Sequence, residues 1–304
     1  MSLQNQILNR LHAHRKYRLA VAAAADTDVL SAIKQAIKLD LVEVVLFGDI
    51  PTIQEIALNI DLDVRLVQLI QADTAHQACE MAVMHVSSGQ ADLLMKGLVD
   101  TSVLLKAVLN KDWGLRTQRV LSHVTAFTLP DSDQIRLLSD AAMNLAPDLE
   151  TKKQIIENCL PVAKALGFTY PNVAILAAVE KVNPKMQATV DAQALSMMIE
   201  TGEITECFVD GPFALDNAVS ETAAHHKGMD NPRAGHADIL IVPTIEAGNM
   251  LYKSITYFAH GSVACVISGA KAPIVLTSRA DSDQDKLNSI ALAVLLASQG
   301  DQHV

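Results

Sequence analysis

Aromatic residues are scarce. Phe, Trp and Tyr make up 4% of the 304 residues, with a single Trp. That excludes the stacking platforms by which proteins hold single-stranded nucleic acid. Cations are also in deficit. Lys and Arg number 24 against 34 Asp and Glu, for a net charge of −10. A general nucleic-acid binder or a binder of anionic membranes needs a basic surface, so both are excluded as partners. An anionic small molecule is not, because a site needs only a few local cations. The four cysteines, Cys79, Cys159, Cys207 and Cys265, form no CxxC pair. No zinc or thioredoxin-like motif follows, no metal is expected, and four buried, reduced thiols are the simplest reading. No strongly apolar stretch exceeds Ile290–Ala297, far short of the roughly 20 residues a spanning helix requires. Met1–Arg18 lacks an apolar segment of the secretory kind. A soluble, cytoplasmic protein is the expectation.

What is present is a high apolar content, 50%, arranged as short runs alternating with amphipathic segments. Leu19–Ala25 reads as a buried strand ended by Asp26-Thr27-Asp28, and Val29, Ile33 and Ile37 then mark one face of a helix. Further strands are expected at Glu43–Phe47, Val64–Leu69, Asp92–Met95 and Val120–Leu129. Others are expected at Ile135–Leu138, Val173–Ala178, Glu206–Val209, Ile239–Val242, Val263–Ile267 and Ile274–Thr277. Helices are expected over Thr74–Val86, Ser102–Leu109, Thr151–Leu166 and Asp281–Ser298. Strand–helix alternation implies parallel strands with crossover helices, an α/β layered fold. The length favours two domains. A shift to Pro, Asp and Ser near residues 125–131 marks a junction.

Ligands of parallel sheets bind beyond the C-terminal strand ends, where helix N-termini offer free N–H donors to anions. Three strand-to-helix loops therefore carry the candidate residues. In Thr277-Ser278-Arg279-Ala280-Asp281-Ser282-Asp283-Gln284-Asp285, the Arg279 fork fits phosphate and Ser278 offers a hydroxyl. Ser282 and Asp285 also have the spacing of a helix capping box, so Asp285 has a capping role open to it. Lys96-Gly97-Leu98-Val99-Asp100-Thr101-Ser102 leads into a helix bearing Lys106. The two hydroxyl residues of this loop could hold a phosphate, and Thr101 or Ser102 also has a role as helix N-cap open to it. In the segment after Ile239–Val242, Glu246, Asn249 and Lys253 recur at helical spacing. There is no GxSxG, HExxH or GxGxxG. His225-His226 with His236 reads as surface rather than metal site, and Ser122-His123 has no visible acid partner.

Several stretches together resemble the phosphate acetyl/butyryltransferase family, nearest to its butyryl-transferring members. They are Met95–Val99 with Thr101, Leu109–Arg116, Arg119–Val124, Val209–Pro212 with Leu215–Ala218, Glu246–Asn249 with Tyr252-Lys253, and Lys271–Lys286. The resemblance implies two α/β/α domains with a cleft between them, an architecture shared with isocitrate and isopropylmalate dehydrogenases. With the junction near 125–131, it implies a discontinuous first domain, 1–127 plus 278–304, and a second, 128–277. It implies a homodimer, no cofactor, and reversible transfer of a short acyl group between CoA and phosphate by direct exchange in a ternary complex. On the matching positions, Asp285 is the general base, Arg279 holds phosphate and developing charge, and Ser278 lies beside the reacting carbonyl. Lys106 falls where related enzymes have arginine, while Thr101, Ser122, Asn249 and Lys253 line the substrate site. Acetyl specificity, a metal-dependent hydroxyacid dehydrogenase of the same architecture and a non-catalytic CoA or anion binder are the alternatives.

Overall fold

A computed structural model describes residues 1–11, 15–278 and 281–301. Its strands are β1 (Tyr17–Ala22), β2 (Val42–Gly48), β3 (Val67–Gln71), β4 (Leu93–Lys96), β5 (Ser122–Thr128), β6 (Arg136–Ser139), β7 (Asn172–Leu176), β8 (Phe208–Phe213), β9 (Ile239–Ile241), β10 (Ser262–Ser268) and β11 (Ile274–Val275). The α-helices are α1 (Leu3–Leu8), α2 (Thr27–Lys38), α3 (Ile50–Asn59), α4 (Ala75–Ser87), α5 (Thr101–Val108), α6 (Leu149–Ala165), α7 (Gln187–Glu200), α8 (Leu215–Val219), α9 (Glu221–His226), α10 (Ile245–Lys253) and α11 (Asp283–Asp301). No helix among the described residues is long and apolar enough to cross a membrane.

The chain divides into two compact α/β units. One comprises essentially residues 3–119 and 263–304, the other 120–262. The sequence-based boundaries lie at 127/128 and 277/278. The contact boundaries fall earlier because whole strands stay with their partners. β5 pairs with β6 in the second unit, and β10 pairs with β11 in the first.

In the first unit the strand order is β3-β2-β1-β4-β11-β10. All neighbours are parallel except β10, which runs against β11. Leu19–Ala22 and Leu93–Lys96 are buried throughout, as expected of strands covered on both faces. The Asp26 side chain starts α2 by accepting the Val29 N–H at 2.9 Å. Asp49 does the same for α3 through Thr52 N–H at 3.0 Å. The expected strand at Val64–Leu69 begins only at Val67. Asp63 accepts the Arg65 amide at 3.0 Å and binds its guanidinium at 2.7 Å, winding Val64–Leu66 into a 3₁₀ turn.

In the second unit the order is β5-β6-β9-β7-β8, parallel apart from the β5–β6 pair. The expected strand at Glu206 starts at Phe208, because Glu206 has φ of 65°, outside the β region. Buried Lys152 on α6 meets buried Asp191 on α7 at 2.5 Å, and Gln187 donates to the other carboxylate oxygen at 2.7 Å.

Candidate active site

In the first unit, β1, β4 and β11 are parallel and in register, Ala22 with Lys96 and Met95 with Val275. Their following loops therefore leave the sheet at one edge. Strand order reverses between β1 and β4, the place where α/β sheets open a crevice. Gly97 passes so close to β1 that a Cβ there would lie 2.2 Å from Ala23 O. Its N–H and that of Leu98 donate to Ala22 O and Ala23 O at 2.8 Å each. Lys96, 5% exposed, donates from Nζ to Gly97 O at 3.0 Å and Val99 O at 3.1 Å, drawing the loop around its ammonium. The loop delivers half-buried Thr101 to the first turn of α5, where Asp100 and not Thr101 or Ser102 takes the N-cap position, without a side-chain cap bond, and Lys106 stands exposed on that helix.

The segment after β11 carries the other candidates. Ser278 is half-buried, and its N–H donates to Asp281 Oδ2 at 2.6 Å. Asp281 is buried and returns a bond from its N–H to Ser278 O at 3.2 Å. Asp285 is half-buried in the first turn of α11. Ser282 Oγ accepts its N–H at 3.1 Å, the N-cap half of a capping box, and donates its hydroxyl to Oδ2 at 2.7 Å. The Val263 N–H donates to Oδ1 at 3.1 Å. Because β10 runs antiparallel to β11, Val263 lies at the same edge as Ser278. Ser282 thus caps the helix, and the Asp285 carboxylate is held by the Ser282 hydroxyl and by a strand 22 residues away in the chain. Each carboxylate oxygen has two lone-pair directions, so these bonds leave room to accept a proton. Arg279 lies outside the described residues.

In the second unit, Ser122 begins β5 and is fully buried, with Asn158 Nδ2 donating to its Oγ at 3.0 Å. His123, its neighbour on the strand, has Nδ1 3.3 Å from Thr125 Oγ1 and packs edge-on against Tyr252. Adjacent strand residues point to opposite faces, so Ser122 and His123 form no nucleophile–base pair. The turn after β6 is built on Asp140, 2% exposed. Its carboxylate accepts the N–H groups of Ala142, Met143 and Asn144 at 2.9, 3.0 and 3.2 Å and Asn144 Nδ2 at 2.6 Å. Helix α10 follows β9 and packs on this turn through Gly248. Exposed Asn249 donates to Ala141 O at 3.4 Å. Lys253 Nζ lies 5.1 and 5.7 Å from the ring centroids of Tyr252 and Tyr257. Glu246 sits at the helix start, where backbone N–H donation and Thr244 hold its carboxyl below the usual range. His225 and His226 end α9, and His236 lies 3.3 Å from Glu221.

Asp281, Lys96 and Asp140 had no assigned role at the level of sequence. The available signal was position: Lys96 ends a strand, Asp140 directly follows one, and Asp281 lies in the loop between β11 and α11. A cavity of about 1160 Å³ in the first unit lies elsewhere, against the starts of β1 and β2. Several of its cations are engaged, Lys16 with Asp40 at 2.6 Å, Arg65 with Asp63 at 2.7 Å and Lys34 with Ile60 O at 2.6 Å.

Comparison with known proteins places the chain in a family. The model of the family described as "Phosphate acetyl/butaryl transferase" matches residues 73–294. A probable phosphate butyryltransferase of Bacillus subtilis is 50% identical over 96% of this chain and 97% of its own. A phosphate butyryltransferase of Clostridium beijerinckii is 47% identical over 97% of this chain and 98% of its own. The crystal structure of a branched-chain phosphotransacylase from Enterococcus faecalis superposes with a TM-score of 0.81 at 37% identity, covering 92% of this chain and 99% of that one. The chain belongs to the phosphate acetyl/butyryltransferase family of acyltransferases.

Proposed function

We propose that this acyltransferase moves a short acyl group of about butyryl size reversibly between CoA and inorganic phosphate. The transfer is direct, within a ternary complex, with no covalent enzyme intermediate. The observation that carries the reading is the segment 278–285. It places a half-buried hydroxyl residue and a half-buried, hydrogen-bonded carboxylate at the edge where β11 ends.

A CoA thiol, like a cysteine, titrates near about 8.5, so little of it is thiolate at neutral pH. In the direction of acyl-CoA synthesis, Asp285 takes the thiol proton as sulfur attacks the carbonyl carbon of the acyl phosphate. General-base assistance of this kind contributes about 10²–10⁴-fold. The C–S bond forms and the carbonyl electrons pass to oxygen, where the Ser278 hydroxyl and Arg279 stabilise the oxyanion. The carbonyl then re-forms, the C–O bond to phosphate breaks, and phosphate leaves against Arg279. In reverse, phosphate attacks the thioester and the proton on Asp285 returns to the departing thiolate. Thr101, Lys106, Ser122, Asn249 and Lys253 are assigned to the substrate site, Ser122 indirectly since it is buried. Holding thiol and acyl phosphate in line supplies the remaining advantage.

The architecture proposed is that of the isocitrate and isopropylmalate dehydrogenases, with the site in a cleft. A homodimer in the cytoplasm is proposed with it, on the family resemblance.

The test is thiol release from acetyl-, propionyl-, butyryl- and isobutyryl-CoA, each with and without phosphate. Phosphate-dependent release fastest with a four-carbon chain is expected. No phosphate-dependent release from any of them refutes the function. A preference for acetyl-CoA refutes the assigned chain length alone.

A further inference from the structure

We propose that Asp281 is a positioning residue of the transfer site, fixing Ser278 where its hydroxyl meets the reacting carbonyl. The inference rests on the reading in which Ser278 acts on substrate.

A carboxylate buried to 7% exposure is costly unless hydrogen bonds compensate it. Asp281 sits one residue before the N-cap of α11, yet that cap is already supplied by the Ser282 hydroxyl, which accepts the Asp285 N–H. Its Oδ2 instead takes the Ser278 N–H at 2.6 Å, the short separation of a charge-assisted bond. The return bond from Asp281 N–H to Ser278 O, 3.2 Å, closes the segment at both ends. Lys286, 4% exposed on α11, donates from Nζ to Asp281 O and lies 3.9 Å from Asp28 on α2. Ser278 is therefore tied to Asp281, and Asp281 to the body of the unit through Lys286. The two acids divide the work. Asp285 is oriented by Ser282 and Val263 to handle a proton, and Asp281 is turned back to hold the hydroxyl residue. Movement of a reacting group by about 1 Å costs on the order of 100-fold in rate, so a loop end carrying such a group needs a fixed anchor.

Asp281→Ala removes the acceptor of the Ser278 amide. It is expected to lower kcat about 100-fold with KM for acyl-CoA little changed. Asp281→Asn keeps an acceptor of the same shape and is expected to restore most of the rate. Asp281→Glu keeps the charge but lengthens the arm, and is expected to lower kcat while the protein stays folded. Because Asp281 acts through Ser278, the Ser278→Ala/Asp281→Ala pair should be no slower than Ser278→Ala alone. A merely structural role would lower the melting temperature without this coupling. Wild-type kcat in Asp281→Glu overturns the proposal, as do losses that multiply in the pair, and Asp281→Glu decides if Asp281→Ala does not fold. Wild-type kcat in Ser278→Ala, by contrast, overturns the role given to Ser278 and this proposal with it.

Discussion

Gly248→Ala sets two forces against each other on one helix. Alanine in place of glycine inside a helix ordinarily gains about 1 kcal/mol. Here the new Cβ would lie 2.3 Å from Asp140 O, 2.9 Å from Val242 Cγ2 and 3.0 Å from Ala141 Cα. The first and last of these belong to backbone, so no rotamer change relieves them. The turn they belong to cannot give way either. The Asp140 carboxylate holds the amides of Ala142, Met143 and Asn144, and Asn144 is anchored to Leu121 O at 2.9 Å. Helix α10 must therefore retreat by about 1 Å to reach van der Waals separation. Overpacking of this kind costs up to about 3 kcal/mol, so the net loss is about 2 kcal/mol after the propensity gain. For a domain of this size that is roughly a 4–8 °C fall in melting temperature. Helix α10 also carries Asn249 and Lys253, so a 1 Å shift should lower kcat/KM by about 100-fold if they meet substrate. Thermal melts followed by circular dichroism and thiol-release kinetics read the two effects. Exposed Met250→Ala on the same helix should stay within about 0.5 kcal/mol of wild type. A melting temperature at or above wild type would refute the packing reasoning. A lowered one with unchanged kcat/KM would refute the placement of Asn249 and Lys253 at the site.

Three further outcomes follow from the same physics. Asp191→Ala leaves buried Lys152 without its carboxylate and should cost about 3–5 kcal/mol, whereas Lys152→Met with Asp191→Leu should recover most of it in the same melts. Arg279→Ala should lose far more activity than Lys106→Ala, because Lys106 is exposed and screened by solvent; equal losses would contradict the roles assigned. Burial pushes the Cys79 thiol up to about 11 and those of Cys159 and Cys207 up to about 12. All three are therefore neutral thiols at pH 8, and a chromogenic disulfide should titrate them only after denaturation and leave native turnover unchanged.

Much of the fold was legible because its signals are local. Buried parallel strands are continuous apolar runs, and the amphipathic face of α2 follows from Val29 and Ile33, both buried, while Ile37 of the expected stripe is only half-buried and Ala36 takes its place in the core. Helix α7 was not legible, since Met186 precedes it and supplies no side-chain cap. Strand β3 was misplaced because the Asp63–Arg65 contact outweighs the β propensity of Val64. Of the proposed site, the candidacy of Ser278 and Asp285 rests on residue type, spacing and resemblance. The role of Ser282 was readable too, because a capping box spans one helical turn.

The sequence by itself determined the alternation of strand and helix, the residue types at each strand end, and the family. Tertiary structure alone decided which backbone group meets the Asp285 carboxylate, through Val263 at the start of an antiparallel β10. It alone buried Ser122 against Asn158, turned Asp281 toward Ser278 and paired Lys152 with Asp191. Caps and apolar stripes depend on neighbours within a helical turn, which the order of residues specifies. Contacts across the sheet depend on strand order and register, and on how buried charges find partners once the chain has closed around them.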